Sequence, residues 1–318
     1  MIITVTLNPA IDKIYWVDQL KMAQETQDEF LTRARSSDTS AGGKGVNISI
    51  FLSRLGVENV AMGFVGGDMG HVVVRDLRDE GVTTNFVWTN GETRTNVIVL
   101  ERGHEYVPIF INEPGTPVSQ EEITRFIRRY KRMLNRATWV ILAGSLPLGI
   151  DADLYRVLAE MATEAGARVV ISASGEALSR GLLASPYIAK PDIRETPVVD
   201  GIPLRTSSEI IDAGKKMVGA GTGIIIVSHE VTGDIAISAN GVWEILTPEK
   251  STEFKNLVGA DDVLLGGVVH MLNKGETLED ALRFGMAAGT LSAESDKKIC
   301  ADITKIEKHM EAISIKKV

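Results

Sequence analysis

The sequence predicts an α/β protein, in which a mainly parallel sheet is flanked by helices and carries a small β-sheet lid. Three observations predict the layout. Short, near-continuous apolar runs alternate with longer helical patterns over most of the 318 residues, as strands buried on both faces require. Two segments, 12–40 and 91–112, break that rhythm with alternating and β-branched residues and no helical stripe, as half-exposed strands of a separate sheet would. No repeat, low-complexity tract or Pro-rich linker divides the chain, so a single domain over 1–318 is expected, with the lid inserted from about 12–40 and 91–112.

In chain order, "IITVTL" (2–7) is the first strand, and the first lid segment runs from "DKIYWVDQL" to "RARSSDTS". It ends in "AGGKGVNIS" (41–49), where three glycines in four residues let backbone amides approach a ligand, Lys44 and Asn47 supply donors, and a helix over 46–55 begins. The spacing is not that of a Walker loop, and a purely structural turn fits these residues equally well. The strand "VAMGFV" (60–65) and the second lid segment follow. Ser119 and Glu122 have capping-box spacing at the head of a helix over 119–134. Its stripe of Ile123, Phe126, Ile127 and Tyr130 leaves the basic residues of "RFIRRYKR" (125–132) on a solvated face. "WVILAG" (139–144), a helix over 152–165, "RVVISA" (168–173), "YIAK" (187–190), a helix over 206–218 and "GIIIVS" (223–228) continue the alternation.

In "NLVGADDVLLGGVVHML" (256–272), Leu264, Leu265, Val268, Val269 and Leu272 recur at helical spacing behind a turn at Gly259 and Ala260. Asp261 and Asp262 therefore fall in the first turn of a buried helix. Unpaired N–H groups there suit either a carboxylate cap or a bound anion. A last helix spans 276–294.

Apolar residues make up 44% and charged residues 24% of the chain, the ordinary globular range, and the net charge of −8 argues against a nucleic-acid partner. Cys300 is the single cysteine, which excludes an internal disulfide and fits a reducing compartment. The five histidines lack metal spacing; the pair His229–Glu230 is followed by Gly233 where a second histidine would be needed. The N-terminus has no basic leader and no run of about twenty apolar residues occurs, so a cytoplasmic protein without a membrane partner is expected.

Eight motifs then occur in a telling order: "TLNPAID" (6–12), "AGGKGVN" (41–47), "GFVGGDMG" (63–70), "TRTN" (93–96), "AGSLP" (143–147), "SASGEAL" (172–178), "KPDIRE" (190–195) and "VGADD" (258–262). Together they resemble the ribokinase-like carbohydrate kinases of the phosphofructokinase B family over essentially the whole chain. The opening "TLNPAID" and the "GGKG" form look most like the 1-phosphofructokinase and tagatose-6-phosphate kinase branch. The resemblance implies ATP-dependent phosphorylation of a ketohexose monophosphate, fructose 1-phosphate first and tagatose 6-phosphate second, with Mg²⁺ as cofactor and a homodimer through the lid sheet.

By the same resemblance Asp12, Gly42, Gly43, Lys44 and Asn47 hold sugar hydroxyls, while Arg94, Asn96 and Ser145 grip the phosphate already on the sugar. An arginine suits that task because its planar fork pairs two phosphate oxygens. Gly259, Ala260, Asp261 and Asp262 form the catalytic turn, with Asp262 as general base and the amides of 260–262 as an anion hole. Lys190, Asp192, Ser228, Glu230 and Gly233 flank the nucleotide, and Glu195 acts on magnesium through water. On residues alone Asp12 also fits a turn cap and Asn47 a polar helix face. Departures from the family pattern gather on the nucleotide side: Asp261 for a glycine, Ser172 for an aspartate, Asp192 for an asparagine, Glu230 for a glycine, and Leu148 for a proline. They raise the contrasting expectation of a catalytically weakened sugar-phosphate or nucleotide-binding protein. In that reading Asp261 caps the helix start and repels the incoming phosphate.

Overall fold

The computed structural model describes residues 1–20, 31–105, 107–199, 201–230, 233–247 and 254–318. The N-terminal run forms β1 (Ile2–Thr6), wholly buried inside a ten-stranded sheet. The lid strands β2 (Ala10–Val17) and β3 (Ala34–Gly42) follow it. Parallel to β1 lie β4 (Asn59–Val65) on one side and β8 (Trp139–Ala143) on the other. Beyond β4 comes β5 (Thr83–Trp88), and beyond β8 come β9 (Arg168–Ser172), β10 (Ile188–Ala189) and β13 (Ile224–Glu230), all parallel. Three antiparallel strands that the sequence reading did not anticipate complete this end: β14 (Gly233–Ser238), β15 (Gly241–Leu246) and β16 (Ser314–Lys317). A minor hairpin pairs β11 (Val198–Val199) with β12 (Ile202–Pro203).

Successive side chains of a strand point to opposite faces, so the sheet feeds two cores. Ile2 faces one, together with α1 (Lys44–Arg54), α2 (Gly67–Asp79), α7 (Ala260–Lys274), α8 (Leu278–Ala293) and α9 (Ile303–Met310). Ile3 and Val5 face the other, with α3 (Gln120–Leu134), α4 (Leu154–Glu164), α5 (Gly175–Leu182) and α6 (Ser207–Gly219). The predicted helices are all present, with α1 starting two residues earlier than expected and α2, α5 and α9 added. Ser119 and Glu122 make the full capping box of α3, and the basic residues of 125–132 lie exposed. Between α7 and α8 the backbones nearly touch. A Cβ built on Gly267 would stand 2.9 Å from the Gly285 Cα, and one on Gly289 3.0 Å from the Ala260 carbonyl oxygen.

The lid is a second sheet in the order β3-β2-β6-β7, where β6 is Arg94–Glu101 and β7 is Ile109–Asn112. Part of its expected first segment, 21–30, lies outside the described residues. The lid has a small cluster of its own, Ile14, Ile98, Leu100 and Val258, while every residue of β7 is exposed. Among the described residues no helix is long and apolar enough to cross a membrane.

The chain leaves β1 toward β4 on one side and returns to β8 on the other, so a crevice opens where the strand order reverses. Asn8, just past β1, and Ser145, just past β8, meet across it at 3.3 Å. The lid begins two residues after Asn8, at the mouth of this crevice.

Candidate active site

Two helices begin at the crevice from glycines in a backbone conformation that costs a side chain dearly. Gly43, before α1, has φ 110°, and Gly259, before α7, has φ 81°. Neither helix start receives a side-chain cap, although at α7 the Ala260 amide donates to the Leu257 carbonyl at 3.3 Å and the Asp262 amide to the Gly259 carbonyl at 3.0 Å. Of the two roles open to the paired carboxylates, the cap is therefore not the one adopted. Asp262 instead accepts a 2.7 Å hydrogen bond from the Asn47 amide nitrogen, tying α7 to α1. It is only 7% exposed. Burial pushes its carboxyl above the ordinary range, against the opposing pull of Lys44 and the Asn47 bond. A carboxylate held this way is equipped to take up a proton.

Asp261 points to the other side of the turn, where the expectation of a bare repelling charge needs correction. Its carboxylate meets Arg194 at 2.7 Å, accepts from the Ser228 hydroxyl at 3.1 Å and lies 3.5 Å from the Lys190 ammonium. Burial pushes its pKa up, but Lys190 and Arg194 outweigh that and hold it well below the usual carboxylate range. Lys190 also donates to Ser228 at 2.6 Å. Asp192 forms a 2.6 Å pair with Lys44, and its pKa is likewise held low, Lys44 and Arg194 overcoming burial. Arg194 was not singled out in the sequence; the alternation of "KPDIRE" gives its only signal. Next to this group Asp234 is 5% exposed, and burial pushes its carboxyl upward. Glu195 stands exposed on the loop after Asp192, and its charge acts on Arg94. Glu230 closes β13, and its side chain lies outside the described part of the structure.

From Asp261 a cavity of about 530 Å³ runs along α7 and α8. Gly233 and Ser228 line its polar end, Leu264, Met286 and Ala293 its apolar wall, and Phe110 of the lid its mouth. That mixture suits a flat, partly apolar ligand whose charged end reaches Arg194.

On the lid side of Asp262 sits Asp12, 4% exposed. It accepts from the Asn96 amide at 2.8 Å and from Lys298 at 2.6 Å. Gly42 is needed beside it, because a Cβ there would lie 2.3 Å from the Asp12 carboxyl carbon. Lys298 escaped the sequence reading: it stands 286 residues from Asp12 in a segment rich in charged residues. Arg94 donates to the Asn8 carbonyl at 3.2 Å and the Glu113 carbonyl at 2.9 Å, with Ser145 at 3.5 Å. Burial lowers its pKa, with Asp12 the strongest opposing charge. The amide oxygens of Asn47 and Asn96 are buried without a hydrogen-bond partner among the described residues. Unmet buried acceptors of this kind call for hydroxyl donors. The structure thus joins Asp12 to Asn96 and Gly42, and Asp262 to Asn47 and the charge of Lys44, which follows Gly43, with Arg94 and Ser145 at the crevice edge.

The sequence profile of the pfkB family carbohydrate kinases matches residues 5–302. Among curated proteins, the 1-phosphofructokinase of Bacillus subtilis (strain 168) is 34% identical over 297 residues, which are 93% of this chain and 94% of the relative. The 1-phosphofructokinase of Borreliella burgdorferi is 32% identical over 294 residues, 92% of each chain. Among solved structures, a possible 1-phosphofructokinase from Thermotoga maritima superposes with a TM-score of 0.89 at 32% identity, covering 100% of this chain and 99% of that one.

Proposed function

Since the chain belongs to the pfkB family of carbohydrate kinases, we propose that it transfers the γ-phosphoryl group of ATP to the free primary hydroxyl of fructose 1-phosphate, giving fructose 1,6-bisphosphate. One observation carries this reading. A buried carboxylate of raised proton affinity, Asp262, stands in the first turn of a helix with no side-chain cap, bonded to Asn47, whose amide oxygen is an unmet acceptor, and next to Asp261 in the wall of a nucleotide-sized cavity.

In this reading Asp12, Asn47, Asn96 and Lys44 fix the sugar hydroxyls, and Arg94 with Ser145 binds the 1-phosphate. Asp262 then takes the proton as the hydroxyl oxygen forms its bond to phosphorus, and the amides of 260–262 hold the charge that develops on the transferring group. Lys190, Asp192, Ser228, Glu230 and Gly233 border the donor, whose base takes the apolar end of the cavity.

Mg²⁺ fits a site in which donor phosphates supply most of its ligands, for it keeps several waters and needs only one or two carboxylates. Among the described residues no three acidic, histidine or cysteine side chains converge on a metal position, whereas Glu195 offers an exposed carboxylate on the donor-side loop. Bound there through water, the ion would neutralise phosphate charge. The exposed apolar residues of β7 support a homodimer through the lid sheet as part of the same reading.

The ion network around Asp261 favours one alternative, a protein that binds these ligands with weakened turnover. A coupled assay of ADP release on fructose 1-phosphate, tagatose 6-phosphate and fructose 6-phosphate separates the two. Turnover fastest with fructose 1-phosphate is expected. Thermal stabilisation by these ligands without turnover would leave only the binding protein standing.

A further inference from the structure

Lys298 is a buried cation of the sugar side that no sequence motif singles out, and its surroundings reach three parts of the site at once. Its ammonium lies 2.6 Å from Asp12 Oδ2 and donates to the Ala41 carbonyl at 2.8 Å. Its own carbonyl oxygen lies 3.4 Å from where a Cβ on Gly259 would stand. The first contact is with lid strand β2, the second with the end of β3 directly before Gly42 and Gly43, and the third with the turn that opens α7. Lys298 and Asp12 are each about 6% exposed at the side chain.

A carboxylate this deeply buried stays charged and correctly aimed only if a counter-charge and directed donors hold it. Asn96 occupies a lone pair of Oδ1 and Lys298 one of Oδ2, which leaves each oxygen able to accept a sugar hydroxyl. We infer that Lys298 is a positioning residue for sugar recognition: it locks the Asp12 carboxylate and the adjoining glycine turn against the catalytic turn, so that the lid and α7 engage the sugar in one fixed register. This inference rests on the kinase reading above. Lys298 acts through Asp12 and does not touch the reacting atoms.

The test is steady-state kinetics of Lys298→Met, with fructose 1-phosphate and ATP varied separately. The KM for fructose 1-phosphate should rise by about 10- to 100-fold, the loss expected when a charge-assisted hydrogen bond no longer holds its partner, with the KM for ATP within about twofold. A purely structural role would instead raise both KM values together, and that result, or an unchanged sugar KM, overturns the inference. Should the methionine variant fail to fold, Lys298→Arg keeps the charge but not the single-point geometry, and the same split between the two KM values decides. A parent enzyme without turnover on any ketohexose phosphate would defeat the kinase reading and this inference with it; parental turnover with no split in the variants would defeat only the role of Lys298.

Discussion

Asp262 is held by a neutral donor and by burial, not by a cation in contact, and this sets its chemistry. Asp262→Asn keeps the shape and the contact with Asn47 but cannot accept a proton, so turnover should fall by ~10²–10⁴-fold while sugar-phosphate binding by calorimetry stays within a few-fold. The parent should also lose kcat on the acid side at a pH above the ordinary aspartate value of about 3.9, and the residual rate of the variant should not follow that limb. Near-normal turnover in the variant would strip Asp262 of the role of base. Its neighbour has the opposite electrostatics: Asp261 engages Lys190 and Arg194, the two cations nearest the donor cavity. Asp261→Gly should free both for donor phosphates, raising turnover about 10-fold or lowering the ATP KM by a similar factor, with a slightly lower melting temperature. A slower glycine variant would assign Asp261 to holding Arg194 in place. The stability linkage follows the same division. Asp192 and Asp261, with depressed native pKa values, add stability that is complete above the unfolded carboxylate range near pH ~4 and is lost as the pH falls toward those values. Asp262 has the reverse sign, since burial raises its pKa and its ionisation costs the native state.

At the scale of elements, the catalytic turn depends on one backbone conformation. A Cβ on Gly259 would meet only ordinary contacts, at 3.4 Å and beyond, so Gly259→Ala has room and its cost is the left-handed φ of 81°. Thermal unfolding should register about 1 kcal/mol of lost stability, with a larger proportional loss in turnover because the 260–262 amides lose their aim. Gly259→Asn should be milder, and an alanine variant with full activity would show that the turn tolerates another geometry. Elements with a strong period were legible in the sequence: "IITVTL", "WVILAG" and the α3 stripe gave themselves away because burial dictates their residues. The β14–β15 hairpin was not, although Ile235 and Ile237 face one core and Ala236 and Trp243 the other, because only the two-residue turn at Ala239 and Asn240 separates its short strands. Helix α2 hid its stripe of Val73, Val74 and Leu77 among charges. In the site, residues within motifs were legible and their partners were not. Arg194 and Lys298 join by ion pairs across long stretches of chain, and no local pattern announces such a pair.

At the scale of the molecule, the lid joins one core through Ile11 and Ala41 at its base and exposes Ile109, Phe110 and Ile111 on an edge strand. Such an edge is a template for pairing unless another chain covers it. Sedimentation equilibrium at micromolar concentration should give a dimer, and Ile111→Arg should shift it to monomer; a monomeric parent would remove the lid-mediated assembly. The catalytic turn has the opposite setting, for α7 and α8 lie backbone to backbone along Gly267, Gly285 and Gly289, and Gly289 presses on the carbonyl of Ala260 itself. The start of α7 is thereby made part of the protein's masonry. A methyl group added at any of these three positions should wedge the two helices apart and shift the start of α7. Heritable change can accumulate on the donor-side loop, where Asp192, Arg194 and Asp261 already differ from common practice or meet at the surface, but along this seam even the smallest side chain would be felt as a change in chemistry.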